Sequence, residues 1–181
     1  SLAVLSKETA IIIPAALALW ELLPGPDTDG DPKRDRLRRA LIRMTPLLPL
    51  ACWLLYHHHA TGRFFGNADF YQYNVTSALS PLRFVLALLH RTWHLLGIMN
   101  MLVMTAAMAA AMFFLPVSDD GIERKRIAIP VQIQFACIML AQLVAFSLVG
   151  GALLTRYLLA SYPLVIILGM STLRRRIARW Q

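Results

Sequence analysis

Apolar residues in this chain gather into long runs, separated by short polar segments rich in charge and turn formers. The first run, Thr9 to Leu23, is broken only by Glu21. As a helix its fifteen residues reach about 22 Å, short of a roughly 30 Å hydrocarbon core. Ser6-Lys7-Glu8 then reads as a turn between two short spans. Further runs cover 40–59, 93–116, 127–153 and 157–173. This pattern predicts an all-α, polytopic membrane helical bundle of about five full spans plus a truncated N-terminal one. Pro46 and Pro49 would kink the 40–59 span, and Trp53 and Tyr56 would anchor its far end at the interface.

The segments between the runs differ in kind. Residues 24–39, PGPDTDGDPKRDRLRR, break the helix with Pro, Gly and Asp and then turn basic. Residues 60–92 begin as a polar and aromatic loop and continue into 82–92, an apolar stretch punctuated by Arg83, His90 and Arg91 that suits a helix lying in the interface. A short charged loop covers 117–126, and a basic tail closes the chain at 174–181. Placing 24–43, 117–126 and 174–181 on one side collects 13 of the 18 Lys and Arg there. The positive-inside rule makes that side cytoplasmic. Lys7, residues 57–92 and Arg156 then fall on the outer face. No internal repeat is evident, so the chain is expected to be a single transmembrane domain over 1–181.

Composition agrees with a bilayer rather than with a water-soluble core. The chain is 57% apolar and 15% charged, with a mean hydropathy of +0.56, against about half apolar and a quarter charged in soluble domains. Net charge is +8. In a soluble protein that would suggest nucleic acid, but basic and aromatic residues do not interleave as they do in single-strand grooves, so no nucleic-acid partner is expected. Cys52 and Cys137 sit inside apolar runs and read as packing residues. The chain opens on Ser1 and is already apolar there, which suggests a fragment of a larger protein.

Candidate chemistry is sparse. Lys7-Glu8 is either a snorkelling ion pair or a cation for a phosphate with an acid beside it. Arg156-Tyr157 opens the last span; spacing alone favours an interfacial anchor over a phosphate ligand. His57-His58-His59 point in different directions on a helix and read as a polar helix end. His90 and His94 have i,i+4 spacing without a third ligand, so no metal site is assigned and a divalent ion is not indicated. In the 60–81 loop, Arg63, Asn67, Tyr71 and Tyr73 are candidate substrate contacts, and Asp69 is its only carboxylate. No phosphate-cradling glycine loop, nucleophile elbow or zinc motif is present.

A resemblance sharpens this picture. Leu5-Ser6-Lys7-Glu8-Thr9-Ala10 followed by Pro14 resembles the LLSKE…LP stretch of membrane glycosyltransferases of the GT-C class. Specifically it resembles family 39, the protein mannosyltransferase and aminoarabinose-transferase group. Thr155-Arg156-Tyr157-Leu158-Leu159-Ala160-Ser161-Tyr162-Pro163-Leu164 is similar to that group's RYLLPLYPL segment, with Ala160 where the family often has proline. Phe65-Gly66-Asn67 through Tyr73-Asn74, Leu79-Ser80-Pro81-Leu82-Arg83 and Trp93-His94-Leu95 add to the likeness. The resemblance implies the later half of an enzyme of about a dozen spans. Such an enzyme moves a sugar from a polyprenyl-phosphate donor to an acceptor at the outer, periplasmic face of a bacterial inner membrane. It assigns Lys7 and Arg156 to the lipid phosphate. The family's catalytic acid lies in an early outer loop that this chain lacks, which leaves Glu8 and Asp69 as the acids on that face. Rival readings are a secondary transporter or flippase fragment and a non-catalytic membrane scaffold.

Overall fold

The computed structural model describes residues 8–23, 33–63, 80–98, 100–119, 122–149 and 155–177, and among these it is mostly helical. A 3-10 turn, Glu8–Ile11, leads into α1 (Ile12–Leu22). Then follow α2 (Lys33–Arg43), α3 (Leu47–Thr61), α4 (Pro81–Gly97) and α5 (Asn100–Ala111). Two-residue strands β1 (Ser118–Asp119) and β2 (Ile122–Glu123) pair antiparallel, Ser118 opposite Glu123. The long α6 (Ile129–Val149), a 3-10 turn Thr155–Leu158 and α7 (Tyr162–Arg176) complete the order. The all-α class expected from the apolar runs is the class observed.

Helix lengths differ from the expected spans. At 21 residues α6 is about 31 Å long and matches a hydrocarbon core. Its stretch Ile129–Leu148 is long and apolar enough to cross a membrane, and 22% of it is buried. A soluble core helix of that composition would be mostly covered. The expected span 93–116 is divided instead. α4 runs on to Gly97, Ile98 leaves the helix in an extended conformation, and α5 departs at 80°. Trp93 folds its indole over Gly97, so closely that a Cβ there would lie 2.5 Å from the ring. Glycine at that place permits the contact. The 40–59 run is divided as well. Met44, Thr45 and Pro46 form a turn between α2 and α3, bridged by the Leu47 N–H to Met44 carbonyl bond at 2.8 Å. Proline at the entry of α3 has no N–H to lose there.

Hydroxyl side chains within the helices turn back on their own backbone. Thr92, Ser147 and Thr172 donate to the carbonyls of Leu88, Leu143 and Leu168, each four residues earlier, at 2.6–2.8 Å. Such bonds satisfy a polar group without help from water.

The packing has two ends. At one, Leu95 from α4, Leu143 and Phe146 from α6, Leu158 and Val165 form the buried cluster, with Ile12 at the start of α1 and Met101 at the start of α5 against it. From there α5 and α7 run side by side, Met104 lying against Gly169. At the far end Arg176 donates to the carbonyls of Met112 (2.8 Å) and Phe114 (2.6 Å), just beyond α5.

Candidate functional site

The buried face of α4 encloses one charged residue. Ala87, Arg91 and Leu95 recur every fourth residue and share the inward face, at 7%, 2% and 2% exposure. Leu82, Val85, Leu86, Leu89 and Trp93 point outward and are exposed. The Arg91 guanidinium lies over the rings of Phe146 (5.8 Å) and Tyr157 (6.0 Å), which stack on each other at 5.1 Å. A cation over the negative faces of aromatic rings is stabilised there, more so away from water.

Around this stack sits a second polar group. Ser161 is fully buried and donates its hydroxyl to Gln142 Oε1 at 2.5 Å; Gln142 is itself buried. Ser161 also begins α7: its N–H reaches the Leu158 carbonyl (2.8 Å), and its carbonyl accepts the first helical bond, from Val165 (3.1 Å). Pro163 follows in the first turn, where a missing N–H is harmless. The Tyr162 hydroxyl donates to the His94 carbonyl (3.2 Å), fastening α7 to the last turn of α4. Together these contacts fix the 3-10 turn Thr155–Leu158 between α4 and α6.

The sequence candidates distribute unevenly over this arrangement. Arg156 belongs by its backbone to the fixed 3-10 turn, next to Tyr157. Glu8 begins the turn that leads into α1, whose first residue Ile12 packs on the cluster. Lys7, Asn67, Asp69, Tyr71 and Tyr73 lie outside the described residues. Arg63 is exposed, just beyond α3, and its carbonyl faces His57 Nδ1 at 2.9 Å. Gly62 supplies the left-handed residue there (φ 71°), its N–H on the His58 carbonyl at 2.7 Å, so His57 helps close the helix end. The His90 and His94 rings are 4.2 Å apart, and among the described residues no cluster of three His, Cys, Asp or Glu assembles.

Arg91, Gln142 and Ser161 are the site residues that a reading by runs passes over. The charge pattern of the sequence puts Arg91 among the outer-face cations of an interfacial helix, whereas packing against Phe146 and Tyr157 encloses it. The spacing 87, 91, 95 inside a leucine-rich stretch is the signal that could have found it.

The opposite end is also polar, but open. Arg124 grips Asp119 with two nitrogens, at 2.7 and 3.1 Å, and donates to the carbonyls of Arg174 (2.9 Å) and Ile177 (3.1 Å). Arg175 pairs with Glu123 at 3.0 Å. The Asp119 carboxyl titrates below its ordinary value, chiefly through the hydrogen bond from Arg124. The 117–126 loop and the basic C-terminal turn are thus one junction, with cations satisfying the last carbonyls of a helix.

Comparison with protein-family models, curated proteins and solved structures finds no match to this chain.

Proposed function

We propose that this chain is a membrane-embedded helical portion of a GT-C-type, polyprenyl-phosphate-dependent glycosyltransferase of a bacterial inner membrane, working at the outer face. The observation that carries the membrane part is that α4 encloses Arg91 while Leu82, Val85, Leu86, Leu89 and Trp93 stay exposed. In water that arrangement wastes apolar burial; in lipid the outward leucines are solvated and the polar groups take the protein interior. The hydroxyl-to-carbonyl bonds within α4, α6 and α7 support it. In this reading the spans number about five, with a truncated one at the N-terminus. Bends such as the 80° corner between α4 and α5 then occur within the bilayer.

The transferase part rests on the resemblance of the Lys7 and Arg156 segments, and it draws support from where those segments enter the fold. Ile12 and Tyr157 both pack on the same cluster, so the elements that follow Lys7 and contain Arg156 converge. Departure of a glycosyl phosphate adds negative charge to the leaving oxygen, and fixed cations in a site of low dielectric stabilise that charge most in the transition state. Lys7 and Arg156 take that role. The acceptor hydroxyl loses its proton to a carboxylate, from Glu8, Asp69 or the early outer loop of the longer protein. Arg63, Asn67, Tyr71 and Tyr73 border the acceptor. Arg156→Ala in the full-length protein, reconstituted in vesicles, is expected to slow sugar release from a polyprenyl-phosphate donor by 100-fold or more, roughly the loss of one preorganised donor. Unchanged release sinks the phosphate role.

A transport reading draws on a different observation: Arg91, Gln142 and Ser161 are polar and buried between helices, as ion and substrate sites of transporters are. Solute flux into vesicles without sugar transfer would select it.

A further inference from the structure

The five arginines of α2 divide into two sets. Its eleven residues, KRDRLRRALIR, carry six Lys and Arg against Asp35 alone. Arg36, Arg39 and Arg43 point toward α1 and are used there. Arg36 donates to the carbonyls of Glu21 (3.2 Å) and Leu22, and Arg39 and Arg43 pair with the Glu21 carboxylate at 2.9 and 3.1 Å. Ala40 is buried on the same side, at 4% exposure. This face clamps the last turn of α1, where carbonyls have no helical partner.

The opposite face is built from Arg34, Leu37, Arg38, Leu41 and Ile42, which border one open groove with Thr45. At 100° per residue these positions fall in a single arc, with the two arginines at its centre, Leu37 and Leu41 on one side and Ile42 on the other. Leu37, Leu41 and Ile42 are 51–62% exposed. Among the described residues Arg34 and Arg38 form no ion pair. A nucleic-acid face would not spend three of its six positions on bare aliphatic groups. A protein groove would not be expected to need two spare guanidinium groups beside them. Exposed aliphatic side chains on both sides of a pair of cations match a boundary between acyl chains and acidic headgroups, the long arginines reaching the phosphates while the aliphatic groups enter the acyl edge.

We infer that the outward face of α2 is a docking surface for an anionic lipid leaflet. Leu37, Leu41 and Ile42 enter the acyl boundary, and Arg34 and Arg38 hold headgroup phosphates. The clamp on Glu21 keeps α2 lying beside the end of α1, so headgroup contact and the position of α1 become linked. This goes beyond counting charges on one side of a membrane. It assigns different work to two sets of arginines on one helix, and it holds whether or not the chain is a glycosyltransferase.

The test uses the full chain with Cys52 and Cys137 replaced by serine and a fluorescent label on Leu41→Cys. The protein is placed in phosphatidylcholine vesicles, with and without phosphatidylglycerol at about a third of the lipid. Expected is a blue-shifted label shielded from acrylamide only when the anionic lipid is present, with shielding lost at high salt. Arg34→Glu with Arg38→Glu should lower the docked population roughly 25-fold or more, since each cation near such a surface is worth about fivefold. Arg39→Glu should instead disturb the α1–α2 contact in both lipids. A second label on Leu140→Cys reports whether α6 is in the bilayer; its exposure would remove the spanning reading while leaving the α2 readout intact. Equal shielding in both lipids, or no response to the double reversal, overturns the inference. Shielding by RNA or polyphosphate without vesicles overturns it in favour of a soluble polyanion.

Discussion

The two ends of the bundle use the same residue type in opposite ways. At the cluster end a single arginine, Arg91, is enclosed at 2% exposure over two aromatic rings. At the other end Arg124, Arg175 and Arg176 lie at the surface and spread their bonds over carboxylates and over backbone carbonyls left open by helix ends. The enclosed cation depends on packing that water and salt do not reach. The half-buried cations of the junction pair with exposed carboxylates, so those ion pairs meet solvent and are screened. Sensitivity to sequence is therefore expected to concentrate at the cluster, and sensitivity to solution conditions at the junction.

The sharpest way to break this contrast is Arg91→Glu. A carboxylate over the faces of Phe146 and Tyr157 meets a repulsive quadrupole in a site closed to water, and a loss of roughly 3–5 kcal/mol is expected. Unfolding in mixed detergent reads it. A loss under about 1 kcal/mol would mean that the site is wet.

Gly169→Val comes next. Even a Cβ there would lie 2.7 Å from Met104 Sδ, so α5 and α7 must part or Met104 must swing away. About 1–3 kcal/mol is expected, with Met104→Ala restoring part of it. No interaction between the two substitutions would place the helices farther apart.

Ser161→Ala leaves Gln142 Oε1 buried without its donor and should cost about 1–3 kcal/mol. Adding Gln142→Leu removes the stranded acceptor and should recover most of the loss. Additive losses in that double-mutant cycle would show that the pair is not coupled.

The smallest effect lies at the junction. The Asp119 carboxyl is depressed when folded, so its contribution is present above its unfolded range and fades as pH falls through the folded value. Thermal unfolding followed from neutral to strongly acidic pH should show a small, salt-sensitive loss that Asp119→Asn abolishes. An identical pH profile for both proteins would assign the acid loss to other carboxylates.

The sequence was legible where one signal sufficed. Long apolar runs give helices: α6 falls inside the 127–153 run, while α7 starts inside the 157–173 run and continues three residues into the basic tail, and the basic segment 33–43 is itself a helix. The site was less legible. Arg156 and the start of α1 stand out as motifs, but the ring stack that fixes Tyr157 joins residues 91, 146 and 157, far apart in the chain. The divisions of the 40–59 and 93–116 runs were legible only in part. Pro46 announces the first. Gly97 announces the second weakly, because an isolated glycine in a helix is often tolerated.

What the sequence determined by itself is the all-α class and the gathering of cations in short segments between apolar runs; of the about five spans those runs predict, one unbroken helix among the described residues, α6, is long and apolar enough to cross a bilayer. These follow from local hydropathy and charge, which act over a few residues. The tertiary structure alone decided which way each helix turns its faces. Arg91 inward and Leu89 outward, or Arg39 on Glu21 and Arg38 away from it, are neighbours in sequence with the same helical propensity. Only the position of α6 beside α4, and of α1 beside α2, separates them, because a side chain's environment is set by the element packed against it.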